Sequence, residues 1–148
     1  STIGHGPAQM IASAYPSSPL YAQATCAANA ALCLALLTLG QNEGMEEYAQ
    51  SGIRLLSASL HAFVREDGLV MQTPKDPSAF SPRVPAIYDG ELPSAAALMI
   101  RCVRMADRMH GQTQDSDTIA MIWQAAAPAV KAQPFACASL IDAMNDGE

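Results

Sequence analysis

Several things are scarce in this chain of 148 residues, and each scarcity excludes something. Aromatic residues make up 5% and charged residues 15%, while half of all residues are hydrophobic. Ala, Leu and Met must therefore fill most of the core, which favours helices, since β-branched and aromatic residues lead in strands. Eight basic residues stand against fourteen acidic ones, for a net charge of −6. That balance excludes a strongly basic nucleic-acid-binding surface as the basis of function. The four cysteines, Cys26, Cys33, Cys102 and Cys137, form no CxxC pair and no zinc ladder with His5, His61 or His110. They read as reduced, buried thiols and point to a cytoplasmic protein with neither metal nor cofactor.

Long apolar runs are also missing. The most apolar stretch, 24–39, falls short of the roughly 20 residues a membrane span needs, so it reads as a buried helix. No basic segment precedes it, so a signal peptide is not expected. The first residue is Ser rather than Met. The chain is therefore read as processed or as a fragment of something longer.

What is present is helical periodicity. Residues 1–19, with Pro7, Pro16 and Pro19, form an irregular N-terminal segment, with a short helix available at 8–14. Residues 20–39 form a first helix, apolar nearly all round, with Gly40 as its left-handed terminator. A second helix spans 45–64, with Met45, Tyr48, Ala49, Ile53, Leu56, Leu60 and Phe63 as its apolar face. The short link between them makes 20–65 a helical hairpin, with His61 on the surface. Residues 69–73 could form a short strand or extended edge.

The prolines at 74, 77, 82, 85 and 93 make 66–93 a long loop of the kind that is usually either disordered or functional; Phe80, Val84, Ile87 and Tyr88 favour an ordered, functional one. A third helix begins at Pro93, in its first turn, and runs to Gly111 with a stripe of Arg101, Arg104 and Arg108. That stripe reads as a solvated face pairing with Asp107 or glutamates. A fourth helix runs from about Asp115 to Ala132, kinked or split at Pro128, with Trp123 in the core. A last helix covers 135–144. Residues 94–146 are thus a three-helix segment, and the whole is one all-α domain of five helices.

The loop ends in Tyr88-Asp89-Gly90-Glu91-Leu92-Pro93-Ser94, two acids and a serine at a helix N-terminus where free N–H groups and the helix dipole favour negative charge. This is the candidate site. Asp67-Gly68-Leu69 before the loop, this turn, the helix 98–108 and Gln133-Pro134-Phe135-Ala136 together resemble the C-terminal part of the spermatogenesis-associated protein 20 / YyaL family. The family joins a thioredoxin-like domain, absent here, to an (α/α)6 toroid of the six-hairpin glycosidase type. It usually continues Pro-Ser with Gly-Asn-Ser, where this chain has Ala95, Ala96 and Ala97.

The resemblance implies consecutive antiparallel hairpins forming part of a toroid. A full toroid has about twelve helices, more than twice what this chain supplies at typical helix lengths. It also implies carbohydrate-binding or carbohydrate-modifying chemistry, glycosidase- or epimerase-like, on a sugar-like small molecule. Asp89 and Glu91 would be the acid–base pair, with Tyr88, Arg83, Ser94 and His5 binding substrate. Each acid also has a structural use: Asp89 can bond the turn or cap the helix, and Glu91 can complement its dipole. The alternative is a non-catalytic helical module that assembles with another chain, or with itself, through an apolar face. A Met- and Ala-lined effector pocket is a third class with no specific feature behind it. No nucleic-acid or membrane partner is expected.

Overall fold

The computed structural model describes residues 25–74, 84–110 and 115–146. Its α-helices are α1 (Cys26–Asn42), α2 (Glu46–Phe63), α3 (Ala95–His110), α4 (Asp115–Ala132) and α5 (Ala138–Asn145), the last preceded by a 3₁₀ turn at Pro134–Cys137. No strand forms among the described residues, so the all-α expectation holds. Of the two alternatives for 69–73, a short strand or an extended edge, the structure has the second: an extended stretch making isolated antiparallel bridges, Val64 with Val70 and Met71 with Pro85. Among the described residues no helix is long and apolar enough to cross a membrane.

The first two helices pair as the short link requires. Thr25 caps α1, its hydroxyl accepting the Ala28 N–H at 3.2 Å. Gly40 packs on Ala49, Leu37 lies on Gly52, and the Cys33 thiol donates to the Gly52 carbonyl at 3.3 Å. Contacts that step back along α1 as they step forward along α2 define an antiparallel hairpin. Gly40 does not end α1, as its residue type suggested. The helix runs through it to Asn42, and a Cβ on Gly40 would lie 2.6 Å from the Ala49 Cβ. Its role is close approach of two helices, while the left-handed position falls to Gly44, with φ of 64°.

That close approach also rotates α2 from its expected face. Ala49, Gly52, Leu55, Leu56, Ala58, Ser59 and Phe63 are buried, whereas Met45 and Tyr48 are exposed and Ile53 and Leu60 only partly covered. Hydropathy counts Gly and Ser as poor core residues, yet small side chains are what a tight helix–helix contact selects.

Four other expectations need correction. Pro93 precedes α3 rather than opening it, because Ser94 is the capping residue: its hydroxyl accepts the Ala97 N–H at 3.2 Å. Pro128 does not split α4, which runs through it from Asp115 to Ala132. Pro128 forfeits one bond, to the carbonyl of Gln124, and both residues lie on the exposed side where water can take it up. Trp123 is partly exposed at the edge of the core rather than within it. The last apolar segment divides into the 3₁₀ turn and α5.

The core gathers around α3, which packs against α1, α5 and α4. Ala96, Ala97, Met99, Ile100, Cys102 and Val103 are fully buried there, facing Cys26, Ala30, Cys33 and Leu37 of α1. All four cysteines are free and buried. Burial pushes the Cys26 thiol up to about 12, and Cys102 is raised by the neighbouring Cys33 thiol and by burial. These thiols pack as small apolar side chains.

Candidate functional site at the loop–helix junction

The junction at 88–94 is held by backbone before any side chain acts. The Ala86 N–H donates to Val70 O at 2.8 Å, and Ala96 N–H donates back to Ala86 O at 3.0 Å, tying the loop to the first turn of α3. Farther on, the Asp89 N–H donates to Ala136 O at 2.7 Å, fixing the loop against the 3₁₀ turn. The three alanines after Ser94 are buried at this seam. Their small side chains let the loop and the start of α3 lie close together.

Asp89 then joins two helix N-termini. One carboxylate oxygen accepts the Ser94 N–H at 3.0 Å, at the start of α3, together with the Ser139 hydroxyl. The other oxygen accepts the Ser139 N–H at 2.9 Å, in the first turn of α5. The Ser94 N–H is shared with Ser139 Oγ at 3.1 Å, and the two hydroxyls stand 3.3 Å apart. Free N–H groups at both helix starts thus converge on one negative charge. Burial by itself would raise the Asp89 pKa; hydrogen bonds from the Ser139 hydroxyl, the Ser139 N–H and the Ser94 N–H outweigh it and hold the carboxyl below its ordinary value.

The arithmetic of this carboxylate limits its chemistry. A carboxylate offers about four acceptor positions, and three are taken by groups of the protein itself. A lowered pKa keeps it ionised at neutral pH, which suits a fixed anion and not a general acid.

The other expected site residues are distributed unevenly. Ser94 is in the cluster, buried, as capping residue and as partner of Ser139. Tyr88 and Glu91 are exposed on the same loop, and no hydrogen bond links either to Asp89. Arg83 and His5 lie outside the described residues. Ser139 was missed by sequence reasoning: it stands fifty residues from Asp89 in an unremarkable apolar helix, and nothing local marks it. The Gln133-Pro134-Phe135-Ala136 segment was noticed, but its contact with the loop through Ala136 was not deducible from it.

Two large apolar side chains flank the cluster in the open. Phe135 is 94% exposed and Leu92 75%. Among the described residues no group of three His, Cys, Asp or Glu side chains could hold a metal ion. One arginine of the stripe pairs with another element than expected: Arg101 forms ion pairs with Asp142 of α5, at 3.1 Å, and with Asp146 just after it. No protein-family model, curated protein or solved structure matches this chain.

Proposed function

We propose that the protein is a non-catalytic helical module that pairs with a second copy of itself through the outer face of α1. One observation carries this reading. The seventeen residues of α1 include no charged side chain, although Ala27, Ala31, Ala35 and Leu39, spaced by four, are exposed along one side. Along most of its length its polar residues do not relieve this, since the Asn29 amide donates to Thr25 O at 2.8 Å and the Thr38 hydroxyl to Leu34 O at 2.7 Å; exposed Gln41 and Asn42 stand only at its C-terminal end. Past the end of the helix, Met45 and Tyr48 extend the exposed apolar surface.

A surface helix normally carries charge on its outer side. A row of alanines lets a second helix come close, and two copies related by a two-fold axis meet there without like-charge repulsion. Light scattering after size-exclusion chromatography should give about twice the 15.6 kDa chain mass, and Ala31→Glu with Ala35→Glu should return it to one. An unsubstituted chain that stays at one mass at tens of micromolar would overturn this reading.

A second reading follows from the loop. Asp89 and Glu91 stand on one loop with exposed Tyr88, the residue types that a carbohydrate-modifying member of the six-hairpin family would use, in a cytoplasmic protein contributing part of a toroid. Asp89→Asn and Glu91→Gln should each abolish any sugar turnover found. Full activity in both would remove these residues from the mechanism.

A further inference from the structure

We infer that the loop–helix junction is a docking surface for a protein segment bearing apolar anchors beside a basic side chain. It uses no residue of α1 and does not rest on self-association. Phe135 and Leu92 are the two most exposed large apolar side chains of the described chain, and Tyr88, 44% exposed, stands with them. They come from two stretches far apart in sequence. The bond from Asp89 N–H to Ala136 O brings the residues next to Tyr88 and next to Phe135 into contact, and the Asp89 carboxylate fastens both stretches to the starts of α3 and α5.

The surface is therefore preorganised, with its backbone already bonded, so a partner would order little on binding. An aromatic and a leucine in the open are the kind of side chain that dominates binding energy at interfaces. Their surroundings choose the partner. Residues 84–94 and 133–139 contain two acids, Asp89 and Glu91, and no basic residue. The oxygens of Asp89 are engaged by its three internal donors, which leaves exposed Glu91, between Tyr88 and Leu92 in the chain, as the carboxylate free to pair with a partner. Complementarity then asks for a Lys or Arg flanked by apolar residues.

The test uses three labelled twelve-residue helical peptides of one pattern, Leu/Lys, Leu/Glu and Ser/Lys, in fluorescence anisotropy against the full chain. The Leu/Lys peptide should bind saturably, with the other two at least tenfold weaker. Phe135→Ser with Leu92→Ser should weaken it at least tenfold, and Glu91→Gln by a few-fold with a shallower salt dependence. Ala31→Glu with Ala35→Glu should leave it unchanged, which separates this surface from the face of α1. Circular dichroism of each variant checks that the helices persist. No saturable binding of the Leu/Lys peptide overturns the inference; so does equal binding of Leu/Glu or Ser/Lys, or full binding by the folded double serine variant.

Discussion

Helices α1 and α3 are nearly equal in length and pack against each other, with the Cys102 thiol donating to Ala30 O at 3.4 Å between them. Their inner sides are built alike, from alanines, thiols and aliphatic residues. Their outer sides are opposites. α3 carries Arg101, Arg104, Asp107 and Arg108, and Arg101 reaches across to Asp142 of α5 and to Asp146 at its end, so part of its polar side is used within the chain. α1 carries no charge at all. The difference teaches that a charged outer row is not in itself a binding site, because its charges can be consumed at home. An uncharged outer row has no charge for the rest of the described chain to pair.

Substitutions can break or sharpen this contrast. The largest effect should come where α1 meets α2. Gly40→Val would drive a branched side chain into Ala49, where even a Cβ finds backbone atoms within 2.8 Å. A loss of about 3 kcal/mol is expected by urea denaturation, since overpacking outweighs the gain in helix propensity. A loss below about 1 kcal/mol would mean that the two helices are not so tightly apposed.

Next comes the start of α3. Asp89→Ala removes an acceptor from two helix N-termini and should cost about 2 kcal/mol, within the range for loss of a cap. Because the folded pKa is depressed, the stabilisation from the ionised Asp89 is fully present above the ordinary carboxyl pKa. It is lost as pH falls through the lower folded value. The difference in stability between Asp89 and Asp89→Asn proteins should therefore shrink on acidification below about pH 4. A difference that stayed constant there would place the stabilisation elsewhere than in the ionised carboxylate.

On the outer side of α3, Arg101→Ala should cost about 0.5 kcal/mol, and less in high salt, as a solvent-exposed ion pair does. The smallest change in stability, within about 0.5 kcal/mol, belongs to Ala31→Glu on the outer side of α1. It should alter association while leaving the melting temperature of the dissociated chain nearly unmoved. A large loss of stability would show that this side is covered within the chain itself.

The elements were legible in the sequence because each carries a local mark. Apolar periodicity predicted the helices, and Asp115, Ser94 and the Gly44 link lie near their ends. The features that escaped are relations between distant residues. Gly40 looked like a terminator, because a glycine after a helical run has only one local meaning; its actual meaning depends on Ala49. A split at Pro128 was one of two outcomes its residue type allowed, because the exposure of Gln124 cannot be read from the chain. At the candidate site, Asp89 and Ser94 were found through the turn and cap chemistry around them. Ser139, which supplies two of the three groups bonded to Asp89, has no local signature.

The four extended residues 69–72 touch more of the molecule than their number suggests. Met71 N–H donates to Phe63 O at the end of α2, and Gln72 O accepts the Cys26 N–H at the start of α1. Gln72 N–H donates to Val84 O, and Val70 O accepts from Ala86, whose own carbonyl receives the Ala96 N–H of α3. Pulling this stretch away would unfasten three helix ends together, so none of the three can fray alone at that end. Native-state hydrogen exchange there should report a single cooperative unit, with the amides of Cys26, Met71, Gln72 and Ala96 opening at one common free energy.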